Sequence, residues 1–221
     1  MKKVSYIKVN VNREKGEISI ENDGEGIDIV LHPTEKIYVP EMIFGNLLTS
    51  GNYNKEEAKI TGGKNGFGAK LTNIFSTYFE IETIDRNRKL KYKQVYRDNM
   101  SIKEDPIIGK YKESPYTRIT FIPDYAKFNL TGMSEDLELL IKKRAVDMFA
   151  CSRGQLNIYF NNEKIELETF TDYMKLYIEP DMTTISCKPN DRWEIGACMS
   201  PNFQFQQVSF TNGIGTQRGG K

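Results

Sequence analysis

Hydrophobic and polar residues alternate from the start of the chain. Ile7, Val9 and Val11 are separated by polar neighbours, and Ile18 and Ile20 resume the alternation after a turn over residues 12–16. A period of two predicts a β-hairpin with one buried face. A half-buried sheet needs helices or another sheet over it, and no helical pattern is read ahead of this one.

The period then lengthens. Met42, Ile43, Leu47 and Leu48 recur at helical spacing with Pro40 in the first turn, predicting a helix from Val39 to Thr49 that ends near Ser50-Gly51-Asn52. Ala69, Leu71, Ile74 and Phe75 predict a second helix. Strand patterns follow: Phe79, Ile81 and Thr83 between glutamates, Leu90 and Tyr92 among charges, and residues 116–122 up to Pro123. Ser134 is positioned to N-cap a helix with Leu137, Leu140, Ile141, Ala145 and Met148 on one face, and Lys142-Lys143-Arg144 reads as its solvated side. Leu156, Ile158 and Phe160 predict a strand that turns at Asn161-Asn162 into a return strand over residues 164–168. Beyond it come a short helical stretch around residues 173–177 and strands around 193–199 and 203–210. The layout is α+β in two parts.

Composition narrows the function classes. Apolar residues are 38% of the 221, and 17 glycines raise that to about 46%, enough to build a core and unlike a disordered or collagenous chain. With 31 basic and 30 acidic residues the formal charge is +1, so the chain is no polybasic clamp for nucleic acid. Cys151, Cys187 and Cys198 lack CxxC spacing, and His32 is the single histidine. That disfavours a zinc set or a histidine-based triad and points to a reducing compartment. No apolar run is long enough to span a bilayer and the N-terminus has no signal-peptide pattern, so a soluble intracellular protein is expected.

Two glycine-spaced segments carry the candidate chemistry. Asn22-Asp23-Gly24-Glu25-Gly26-Ile27 sits at a strand end; alone it suits a reverse turn, because Asn, Asp and Gly tolerate positive φ. Gly62-Gly63-Lys64-Asn65-Gly66-Phe67-Gly68 places four glycines in seven residues just before a helix. Such a loop presents backbone N–H groups and a helix N-terminus to a polyphosphate. It is not a Walker A motif, since Gly68 is followed by Ala69-Lys70-Leu71. A plain hinge loop is the alternative, and from the residues alone the reading stops at a nucleotide-phosphate-binding α+β domain.

The paired glycine segments resemble the nucleotide site of the GHKL ATPases. Three longer strings are similar to the N-terminal ATPase region of eukaryotic-type DNA topoisomerase II: Tyr38-Val39-Pro40-Glu41-Met42-Ile43-Phe44-Gly45-Asn46-Leu47-Leu48-Thr49-Ser50, the segment from Thr61 to Leu71, and Phe205-Gln206-Gln207-Val208-Ser209-Phe210-Thr211-Asn212. The resemblance covers essentially the whole chain. It implies a Bergerat ATPase sandwich, a mixed sheet with helices on one face, over residues 1–165, followed by the N-terminal part of an α+β transducer domain over 166–221.

The resemblance also implies roles. Asn22 matches the polar residue that reads the adenine amino group, and Thr117 the strand threonine facing the same pocket. Ser50 and Asn52 match residues lining ribose and phosphates, with Gly51 where the family usually has a second serine. Gly63, Lys64, Asn65, Gly66, Phe67, Gly68, Ala69 and Lys70 match the loop that wraps the triphosphate. ATP and Mg²⁺ are the implied cofactors, DNA and a second copy of the chain the implied partners of the intact enzyme, and the nucleus its implied location. The family's general-base glutamate and magnesium-binding asparagine lie on a helix not found in this sequence, nor are the downstream transducer lysine and the DNA-cleaving tyrosine. The resemblance therefore implies no catalytic residue here, and a piece of a topoisomerase with negligible ATPase activity of its own. A non-catalytic nucleotide-binding or regulatory fragment, or a truncation without function, are the other readings.

Overall fold

The computed structural model describes residues 3–47, 49, 62–63, 65–179 and 181–216. β1 (Tyr6–Asn12) and β2 (Glu17–Asp23) form the predicted hairpin. α1 (Val39–Gly45) and α2 (Gly68–Ile74) follow, then β3 (Ser76–Asp85), β4 (Leu90–Arg97), β5 (Ile102–Lys103), β6 (Ile107–Lys110) and β7 (Tyr116–Pro123). A 3-10 turn at Tyr125–Phe128 leads to α3 (Glu135–Cys151), β8 (Asn157–Phe160), β9 (Glu163–Lys164) and α4 (Phe170–Met174). The chain continues through β10 (Thr184–Asn190), β11 (Trp193–Cys198), β12 (Phe210–Thr211) and β13 (Ile214–Gly215).

The first nine strands make one sheet in the order β5-β4-β3-β7-β2-β1-β8-β9, with β6 also on β4. β1 and β8 run parallel and the other pairs antiparallel, so the sheet is mixed. The architecture is the expected α+β one, with α1 and α2 over β3 and α3 over β1 and β8.

Register explains the core. Val9, Ile20, Ile119 and Ile81 occupy one rung across β1, β2, β7 and β3, and Val11, Ile18, Phe121 and Phe79 the next. Because the strand period is two, these residues all face the helices. One core gathers Phe79, Ile81, Tyr92 and Tyr96 under Ile29 and Phe44; the other gathers Val9, Ile158 and Phe160 under Ala145 and Phe149 of α3 and Tyr173 of α4. Ile20, midway between them, is 41% exposed. The opposite face is charged and paired: Arg118 grips Glu21 at 2.5 Å and 2.8 Å, Lys91 meets Glu82 at 2.7 Å and Lys93 meets Glu80 at 3.0 Å. Alternation of apolar and charged residues thus separates a core face from a wet one.

Some local expectations change. α1 stops at Gly45, where Asn46 turns to extended backbone; Gly45 itself lies so close to the Tyr96 ring that a β-carbon there would sit 2.5 Å from the hydroxyl. Ser134 does cap α3, its hydroxyl accepting from the Leu137 N–H at 3.2 Å, but Leu140 is exposed and Phe149 takes the core position. The return strand shrinks to Glu163–Lys164. Residues 203–209 form no strand, and Phe203 and Phe205 are each 87% exposed. β10 was not predicted, its segment having no clear alternation.

The basic run on α3 is more than a solvated face. Lys143 and Arg144 reach the buried Asp147 at 2.7 Å and 3.4 Å, and Asp147 also accepts from the hydroxyls of Tyr173 at 2.8 Å and Tyr177 at 3.2 Å. One carboxylate thereby ties α3 to α4.

Candidate functional site

One rung beyond Ile20–Ile119–Ile81 the helix-facing row turns polar. Asn22 on β2 stands opposite Thr117 on β7, and Thr117 opposite Thr83 on β3. On all three strands the residue two places along the buried parity is aliphatic, so the change is a property of this end of the sheet. The Thr83 and Thr117 hydroxyls are 2.9 Å apart, and Thr83 is fully buried. Asn22 donates its amide N–H to the Asp23 carbonyl at 2.7 Å, which lays its side chain along the start of the glycine turn.

That turn is pinned to β3. The Ile27 N–H donates to the Thr83 hydroxyl at 3.1 Å, the Ile29 N–H to the Asp85 carboxylate at 2.9 Å, and the Arg86 N–H to the Glu25 carbonyl at 3.0 Å. Gly26 crosses β3 at φ +75°, where a β-carbon would lie 1.7 Å from the Ile84 carbonyl oxygen. Only glycine fits both the conformation and the approach. Asp85, 1% exposed, also accepts the N–H groups of Asn87 and Arg88 and the Arg88 guanidinium at 2.8 Å. Burial by itself would raise its pKa, but these donors hold it below the ordinary carboxylate value. Asp23, next to Asn22, is buried and receives Ser5 and Tyr6, so it fixes β1 to β2.

The second glycine segment leads into α2, which packs on β3 and β7, the strand carrying Thr117. Gly66 has φ +67°, Gly63 and Gly68 border open space, Phe67 precedes the helix, and Asn65 and Ala69 are exposed. α2 is only seven residues long, so a helix dipole contributes little to anion binding. The stronger feature is Lys70. It is 2% exposed, donates to the Thr49 carbonyl at 3.0 Å, and burial lowers its pKa. Among the described residues no carboxylate pairs with it. A buried ammonium held by a carbonyl dipole suits an incoming anion.

Of the sequence-predicted site residues, the structure brings Asn22 and Thr117 together and sets Gly63, Asn65, Gly66, Phe67, Gly68, Ala69 and Lys70 along the approach to α2. Ser50, Asn52 and Lys64 lie outside the described residues. Sequence reading missed Thr83 and Asp85. Their signal was available: in Phe79, Ile81, Thr83, Asp85 the buried parity of a strand passes from apolar to polar. The donor set fits a nucleotide in kind, with polar groups on one sheet row and a lysine behind a glycine loop. No cluster of three or more His, Cys, Asp or Glu occurs among the described residues.

No protein-family model matches the chain. It is 45% identical over 231 residues to DNA topoisomerase 2 of Penicillium chrysogenum, matching 99% of this chain and 14% of that protein. The crystal structure of the ATPase region of Saccharomyces cerevisiae topoisomerase II superposes with a TM-score of 0.91 at 42% identity, covering 97% of this chain and 57% of that one. The ATPase and transducer domains of topoisomerase II from Balamuthia mandrillaris give 0.91 at 43% identity, over 97% and 55%. The chain belongs to the DNA topoisomerase II family. It spans about one seventh of the length of the family relative it matches, within the ATPase region. No described helix is long and apolar enough to cross a membrane.

Proposed function

We propose that the chain is the ATP-binding part of a type II DNA topoisomerase. The observation that carries this reading is the polar rung Asn22–Thr117–Thr83 beside the pinned Gly24–Gly26 turn, on the strands over which α2 sets Lys70. The rung reads the purine edge, the glycine loop wraps the phosphates, and Lys70 supplies a charge-assisted bond to them. Ser50, Asn52 and Lys64 would complete the ribose and phosphate contacts. Residues 1–165 would form the ATPase domain and residues after 165 the start of the transducer, to which Asp147 is already linked through α4. The intact enzyme, a homodimer acting on DNA in the nucleus, would use ATP binding and hydrolysis to drive strand passage. Magnesium would arrive with the nucleotide.

Calorimetric titration of a non-hydrolysable ATP analogue into the chain tests the proposal. Binding should fall at least about tenfold in Lys70→Ala, the usual worth of a charged hydrogen bond. It should also weaken as pH rises through the lowered pKa of Lys70, below the ordinary lysine value, because only the ammonium attracts phosphate. Absence of binding at millimolar analogue, or binding indifferent to Lys70→Ala, would sink the reading.

A further inference from the structure

We propose that Thr83 sets the hydrogen-bonding polarity of Thr117 and so selects adenine over guanine. The inference rests on the nucleotide reading above and deepens it.

The Thr83 hydroxyl has one proton and two lone pairs. One lone pair takes the Ile27 N–H at 3.1 Å. The proton has two possible acceptors, the Thr117 hydroxyl at 2.9 Å and the Tyr116 carbonyl at 3.3 Å. At 2.9 Å either hydroxyl of the pair can be the donor; the arrangement proposed has Thr83 donating to Thr117, with the Tyr116 carbonyl as its longer, weaker contact. Thr117 then accepts from Thr83, and its own proton is left to point away from β3. A hydroxyl offered as a donor meets the N1 of adenine, an acceptor, but opposes the N1–H of guanine. Facing two donors costs more than missing one bond, because a buried donor is left unsatisfied.

Thr83 is suited to this task by its surroundings. It is fully buried, so water does not compete for its proton, and it touches both sides of the proposed base site, the glycine turn through Ile27 and β7 through Thr117. It is a positioning residue, acting on the ligand through Thr117.

The test compares ATP and GTP analogues, with inorganic tripolyphosphate as a base-free control, titrated into the full chain. Wild type should prefer the adenine nucleotide. Thr83→Val, which keeps the shape and removes the hydroxyl, should lose about five- to tenfold in ATP-analogue affinity and narrow the preference by the same factor, while tripolyphosphate binding is unchanged. Thr83→Ser should restore both. Thr117→Val should narrow the preference at least as far, and the double variant should lose no more than Thr117→Val alone. A preference as wide as wild type in either valine variant, or losses that simply add, overturns the inference while leaving nucleotide binding intact. If Thr83→Val does not fold, Thr83→Cys, which keeps the size and replaces the hydroxyl by a weak donor, takes its place with the same expected narrowing, and an unchanged preference in it overturns the inference. Wild type that binds no nucleotide overturns the underlying reading instead, before any variant is compared.

Discussion

At the β2–β7–β3 end of the sheet polar side chains are buried and every strand is held by long antiparallel registers, whereas from β10 onward apolar side chains stand in the open. Thr83 and Asp85 are at most 1% exposed, while Ile185, Trp193, Met199, Phe203 and Phe205 are each more than 60% exposed. Both regions invert the usual rule, and for different reasons. Buried polar groups at the sheet end are mutually satisfied, so their desolvation is offset and they fix one geometry. Exposed apolar groups from β10 onward have only the two-stranded hairpins β10–β11 and β12–β13 beneath them, which bury little. Geometry at the first region is therefore specified by the residues within it; at the second, few neighbours cover the side chains.

The largest expected effect breaks the first region. Asp85→Ala removes the acceptor of the Ile29, Asn87 and Arg88 N–H groups and of a guanidinium, and should cost about 3 kcal/mol in denaturant unfolding. Its pH signature has a definite sign. A native pKa below the unfolded value means stability that is present above the unfolded pKa and lost as pH falls through the native one. Wild type should lose stability on acidification below about pH 4, the unfolded carboxylate range, and part of that loss should be missing in Asp85→Asn. An Asp85→Ala protein with wild-type stability would mean that the Ile27–Thr83 and Arg86–Glu25 bonds hold the glycine turn without this carboxylate.

A smaller effect is expected where the two regions meet. Asp147→Ala deprives Tyr173, Tyr177, Lys143 and Arg144 of a shared acceptor and should cost about 2 kcal/mol, because the Tyr173 hydroxyl is buried and keeps only Tyr177 as a partner. Burial and its bonds to Tyr177 and Asp147 hold the Tyr173 hydroxyl neutral well above its ordinary pKa, so ionisation does not relieve it. In this variant the amides of α4 should lose hydrogen-exchange protection at lower denaturant than those of the sheet. Coincident transitions at wild-type stability would show that α3 and α4 do not depend on this carboxylate.

Much of the first region was legible in the sequence because its strands alternate cleanly. Ile18–Ile20, Phe79–Ile81 and Ile119–Phe121 announced their buried faces, and Gly24 and Gly26 announced a turn. Register was not legible: nothing in one dimension says that Asn22, Thr117 and Thr83 share a rung, so Thr83 passed as an ordinary strand residue. The Asp147 hub was misread because Lys142-Lys143-Arg144 has the composition of a wet helix face, and only the placement of α4 gives it a buried partner. The strand expected over 203–210 failed for the opposite reason. Phe203 and Phe205 alternate on one face and Val208 and Phe210 on the other, but pairing is decided by a neighbour, and only Phe210–Thr211 finds one.

The smallest effect belongs to that segment. Phe205 is 87% exposed, so Phe205→Ser transfers little apolar surface between water and protein and should change stability by less than about 0.5 kcal/mol. Thermal unfolding at several protein concentrations is the sharper form of the measurement. A loss above about 1 kcal/mol that is independent of concentration would mean that the segment packs on its own chain, and the contrast between the two regions would fail. A loss that appears only at high concentration would mean that copies of the chain cover one another there. An unchanged midpoint throughout would leave the aromatic side chains of 203–208 exposed in solution, and the folding energy where the register puts it, in the β2–β7–β3 sheet and the helices above it.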